Sequence, residues 1–164
     1  MLKFAEKLAK DERGTAVTEF ALWTTALFLV VMAGLDFGTY YMQRGQLNEA
    51  VSAAAVQTFE KRENVDFNGL QAYVRNLADD QTLTLSTSCN GVANACTNFG
   101  RTCSCLKSNG TYTAATCGSS CSGTQSTAGY YVNLKAEQEY KTAILPKSLM
   151  GGSHVRQSAT LRLN

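Results

Sequence analysis

Residues 13–36 read R-G-T-A-V-T-E-F-A-L-W-T-T-A-L-F-L-V-V-M-A-G-L-D, and this stretch decides the fold. Phe20 to Leu35 carries no charge. Asp36 interrupts the run, and the apolar character resumes through Phe37, Gly38, Thr39, Tyr40, Tyr41 and Met42. Taken as one helix, Phe20 to Gln43 spans about 36 Å at about 1.5 Å per residue, enough to cross a hydrocarbon core of about 30 Å with some tilt. Tyr40 and Tyr41 fall where an interfacial aromatic belt would lie. A secretory signal would end in a small-residue A-x-A-like site. Ala33-Gly34-Leu35 offers small residues but no such triplet, and the run continuing past Asp36 suits an anchor better.

Upstream lies MLKFAEKLAKDERG, with Lys3, Lys7, Lys10 and Arg13 against Glu6, Asp11 and Glu12. The basic excess is small, but it predicts a cytoplasmic N-terminus and export of the rest of the chain. Gly14 follows this charged stretch. Glu19 stands five residues after it, at the edge of the apolar run. A carboxylate next to hydrocarbon costs a few kcal/mol unless it is paired.

Arg13-Gly14 followed by Thr15-Ala16-Val17-Thr18-Glu19-Phe20, and the string Glu19-Phe20-Ala21-Leu22, resemble the prepilins of type IV pilus and related systems. The resemblance is strongest to the TadE-like minor pilins (pseudopilins) of the Tad/Flp branch, over about residues 10 to 45. It implies that a prepilin peptidase cuts after Gly14, making Thr15 the first mature residue and Glu19 the fifth. The organisation implied is a cytoplasmic leader over 1–14, a transmembrane helix over 15–43 and an exported pilin-like domain over 44–164. The implied location is the bacterial inner membrane, single-pass, with entry into a pilus as a further step. The implied partners are the peptidase, other pilin and pseudopilin subunits, the pilus assembly machinery and the membrane. Pseudopilins of type II secretion usually begin with an aromatic residue, where this chain has Thr15. Major subunits of the Tad/Flp type are generally much shorter than 164 residues, which favours a minor role.

Cleavage after Gly14 would place a new α-amine one helical turn before Glu19. Glu19 of the same chain, at i,i+4 spacing, or of a neighbouring subunit would pair with it and favour one docking register. The plainer reading is that Glu19 lies among headgroups and marks the start of the helix. Asp36 is about 260° around the helix from Glu19 and belongs to another face. Its depth favours the outer interface. Gly34 and Gly38 permit close helix approach, a weak signal by itself.

Beyond Arg44, the stripe Leu47, Val51, Ala54, Ala55 and Phe59 predicts an unbroken helix to about Lys61, packed on the domain that comes after it. A second helix is expected over Asp66 to Ala78, capped by Asp66, with Phe67, Leu70, Val74 and Leu77 on one face. Three alternating segments come next: Thr82–Ser86, Tyr130–Tyr140 with Gln138 as its break, and Val155–Leu163 with Gln157 as its break. Pro146 and Gly151-Gly152 lie between the last two, as a hairpin loop requires. The predicted fold class is α+β: a long N-terminal transmembrane helix continuing into a small antiparallel-sheet domain with a disulfide-rich loop.

All six cysteines, Cys89, Cys96, Cys103, Cys105, Cys117 and Cys121, fall within a Cys-rich insertion over 86–128. An even cluster in an exported Ser/Thr/Gly-rich segment reads as disulfides. Fifteen pairings are open, and Cys103 and Cys105 stand too close to pair with each other. Cys103-x-Cys105 and Cys117-x3-Cys121 are not zinc-ribbon spacings. The insertion is either a crosslinked spacer or a loop that binds a surface ligand.

A net charge of +2 without a basic patch does not indicate a nucleic-acid partner. The only histidine, His154, sits beside the Gly-Gly turn, and no catalytic cluster, cofactor motif or metal-ligand spacing is present, so no enzyme is expected. Asn109-Gly110-Thr111 matches a glycosylation acceptor, a weak signal in a bacterial chain. The alternative to a minor pilin is a single-pass anchored binding or adhesion module outside the cytoplasm.

Overall fold

A computed structural model describes residues 13–123, 126–146, 148 and 152–163. Most of the expected leader, with Lys3, Lys7 and Lys10, lies outside the described residues, as does Gly151.

The chain folds as α+β. Helix α1 (Arg13–Glu60) is unbroken. From Gly14 to Val31 it is exposed on every side, although Phe20, Leu22, Trp23, Leu27 and Phe28 are among its residues. A helix that is apolar all round buries its surface in lipid or among other helices. Its threonines satisfy their own hydroxyls: Thr25 donates to the Ala21 carbonyl at 2.8 Å, and Thr39 to that of Leu35 at 3.0 Å.

The second half of α1 is amphipathic. Asp36, Leu47, Ala50, Val51, Ala54 and Thr58 form its buried stripe, with Tyr40 packed beside it. Thr58 is tolerated there because its hydroxyl donates to the Ala54 carbonyl at 2.7 Å. Phe59, expected on this stripe, is half-exposed. It lies about 120° from Leu47 around the helix, and its ring meets the Arg62 guanidinium instead.

The second helix is shorter than expected. α2 runs Leu70–Ala78, because Asn68 and Gly69 remain in a turn closed by the Gly69 N–H donating to Asp66 Oδ1 at 2.9 Å. Leu70, Val74 and Ala78 are its buried residues. Leu77 is half-exposed, a correction to the expected face. The buried arc centres on Val74, and Leu77 lies about 60° from it. An αL residue, Asp79, ends the helix.

Among the described residues six strands follow: β1 (Thr84–Cys89), β2 (Val92–Ala93), β3 (Cys103–Leu106), β4 (Tyr112–Ala115), β5 (Tyr131–Glu139) and β6 (His154–Arg162). The main sheet is antiparallel, in the order β2-β1-β5-β6. Its register sets Ser86 beside Lys135 and Lys135 beside Ser158. Val132, Leu134, Ala136 and Val155 turn inward and meet Leu47, Val51, Ala54, Val74 and Leu83 in one core. The polar break Gln138 is buried on that same face and hydrogen-bonds Asp80. Burial works to raise the Asp80 carboxyl, but hydrogen bonds from Thr82, Gln138 and the Leu83 N–H outweigh it and hold the carboxyl below its ordinary value.

β1 continues through Cys89, so the first cysteine belongs to the main core rather than to a loop. The rest of the cysteine-rich segment is not a bare loop either. β3 and β4 form a second sheet over a small core of Cys103, Cys121 and Ala128.

Candidate functional site

Gly14, Thr15 and Glu19 all lie on the first turns of α1, and all are exposed. A Cβ added at Gly14 meets nothing within 4 Å. Glycine inside a helix costs about 1 kcal/mol relative to alanine. Packing therefore gives no reason for glycine at this position. The Thr18 hydroxyl lies 2.8 Å from the Thr15 carbonyl and 3.3 Å from that of Gly14, so it caps the backbone beside the Gly14–Thr15 bond. Gly34 and Gly38 also face open space.

A family model described as TadE-like protein matches residues 14–56. The N-terminal helix of this chain is TadE-like. The match begins at Gly14, the glycine of the prepilin-like motif, and ends within α1. It covers about a quarter of the 164 residues and leaves the sheet and the cysteines outside it. No curated protein and no solved structure matches the chain. The TadE-like family is structural and associated with Tad pili, and the apolar TadE-like helix fits a single-pass membrane anchor.

The six cysteines lie far from the helix start. From Glu19 to Glu60 at the distal end, α1 runs roughly 62 Å at about 1.5 Å per residue. At that end Asn98 fastens the cysteine-rich segment to the chain leaving α1. Its Oδ1 accepts from the Val65 N–H at 2.9 Å, and its Nδ2 donates to the Val65 carbonyl at 3.1 Å. The pairs are Cys89–Cys96, Cys103–Cys117 and Cys105–Cys121, and Cys103 and Cys105 do not pair with each other. Residues i and i+2 on a strand share a face, so both sulfurs of Cys103-Ser104-Cys105 point the same way on β3. The segment holding Cys117 and Cys121 covers that face, and the two bonds interleave.

Two features are not apparent from the sequence alone. Asn90-Gly91 is a two-residue hairpin turn between β1 and β2, both residues having positive φ, 49° and 82°. Asn-Gly between alternating residues was the available signal. Asn90 also ties the two sheets together: its Oδ1 accepts from the Tyr131 N–H at 3.0 Å, and its Nδ2 donates to the Thr102 carbonyl at 2.7 Å.

The second feature is Asp36. It is 5% exposed, and its carboxylate accepts hydrogen bonds from the backbone N–H groups of Ala143 at 3.0 Å, Ile144 at 2.9 Å and Leu145 at 2.9 Å. The Tyr140 hydroxyl donates to the Asp36 carbonyl at 2.7 Å. The Tyr40 and Tyr140 rings meet edge-on 5.4 Å apart. The acid that interrupts the apolar run is thus the post to which the β5–β6 loop is tied. Its place as the break in the apolar run was legible in the sequence; its partners, more than 100 residues away, were not.

Proposed function

We propose that this protein is a minor pilin (pseudopilin), processed after Gly14 by a prepilin peptidase and taking part in assembly or initiation of a Tad/Flp-type pilus. The observation that carries the proposal is the TadE-like α1, which presents Gly14, Thr15 and Glu19 exposed on a stretch of helix that the described residues leave bare through Val31. Such a helix rests in the inner membrane and has its whole surface available to the helices of other pilin subunits. The N-terminus faces the cytoplasm and the sheet domain lies outside. After the cut, the Thr15 amine is a cation with no side-chain reach. Glu19, of the same chain or a neighbour, neutralises it at the membrane edge. The pair then selects one register along the helix bundle.

Glu19→Gln keeps the size of the side chain and removes its charge. In the protein's own cells we expect the Glu19→Gln chain to insert and be cut normally while surface pili fall about tenfold, the effect of losing about 1.4 kcal/mol of docking energy. Undiminished piliation would remove Glu19 from the assembly step.

One observation favours a second reading, an anchored binding module. Phe99 is 88% exposed on the segment that Asn98 and the Cys89–Cys96 bond hold in place. That reading gives the activity to a surface ligand of the cysteine-rich region, and it predicts that the uncut chain is functional.

A further inference from the structure

We propose that the β5–β6 loop, Lys141 to Pro146, rests in the lipid headgroup layer of the outer leaflet and sets the depth of the helix in the bilayer. The inference rests on reading α1 as a membrane anchor. It goes further by placing a segment more than 100 residues away in sequence against the lipid.

The three hydrogen bonds to Asp36 fix the height of the loop along α1. Asp36 lies about 24 Å beyond Phe20 and about 10 Å short of Gln43. If hydrocarbon extended to Gln43, the irregular backbone of the loop would lie about 10 Å inside it, carrying the exposed Lys141 with it. Irregular backbone facing lipid does not occur at that depth. The outer boundary therefore falls near Asp36. Phe20 to Leu35 then forms the uncharged span, about 24 Å, with Glu19 at its inner edge, and a core of about 30 Å thins locally to meet it.

The surroundings of the loop agree with this height. Ile144 is 44% exposed and Pro146 is also exposed, apolar surface that the described residues leave uncovered. On α1, Phe37 and Tyr41 are exposed at the same level, where aromatic side chains favour the interface. The Lys141 ammonium suits lipid phosphate. Asp36 would otherwise present a bare carboxylate to this layer; the loop covers it and satisfies it.

The test uses the full chain in phosphatidylethanolamine/phosphatidylglycerol vesicles containing brominated lipids. Trp23, the only tryptophan, reports the anchor in the unaltered protein. A Trp23→Phe, Ile144→Trp chain reports the loop. We expect Trp23 to be quenched best by bromines deep in the acyl chain, and the loop reporter by bromines near the headgroup, equally at all protein-to-lipid ratios. Quenching of Trp23 without quenching of the loop reporter overturns the loop proposal and leaves the anchor standing. Loop emission that shifts only at high protein density also overturns it, and assigns the surface to a neighbouring subunit. An unquenched Trp23 overturns both readings. A check that needs no variant is photolabelling of the unaltered chain from diazirine-bearing phospholipids. The Lys141–Pro146 peptide should carry label, and its absence there, with label on α1, contradicts the proposal.

Discussion

Gly91 shows how much one residue decides. Its φ of 82° lies in the left-handed region, and a Cβ there would stand 2.7 Å from Tyr112 Cδ2. Tyr112 in turn packs on Tyr131 of the main sheet, so the ring has little room to retreat. Gly91→Ala should destabilise the protein by about 1–3 kcal/mol, the usual cost of a strained non-glycine backbone, read as a lower thermal midpoint in detergent micelles. An unchanged midpoint would mean that the β1–β2 turn relaxes freely. Asp36 teaches a different lesson at the same scale. An acid inside an apolar run is visible at once, but the run itself cannot say whether lipid headgroups or protein will meet it. The answer required Ala143, Ile144 and Leu145, which only the fold brings to it.

Among the elements, those with strong periodicity were legible in advance. The long α1 and the alternation in β5 and β6 follow from apolar spacing, and the hairpin joining the two strands from the turn residues between them. The errors fell at the edges of helical faces. Leu77 and Phe59 have apolar side chains near the right spacing, but each lies off the centre of the buried arc, and sequence spacing does not fix that centre. The difference is measurable on α2. Val74→Ala should cost about 2 kcal/mol, since it empties part of the core, while Leu77→Ala should cost less than about 1 kcal/mol. Equal costs in chemical unfolding would contradict the packing described. The cysteine-rich segment was legible as crosslinked, but its pairing was not, because spacing leaves many connectivities open. Only the pairing of β3 with β4 sets Cys103 and Cys105 on one face, toward Cys117 and Cys121.

Over the whole molecule, the two sets of candidate residues occupy opposite ends of a helix of roughly 70 Å. The prepilin-like turn stands at the bare end, while the disulfides and the clamp at Asn98 stand at the other. The TadE-like match follows α1 and stops before the sheet, so it takes in both the exposed apolar half of the helix and much of the half packed on the domain. The claim on which the proposed function depends is that this bare end is cut. It is tested most directly by the intact mass and N-terminal sequence of the protein recovered from its own membranes, with and without the prepilin peptidase. A minor pilin predicts a chain beginning at Thr15, and an uncut chain when the peptidase is absent or Gly14 is replaced. A chain that keeps Met1 in the presence of the peptidase would contradict it and favour the anchored binding module.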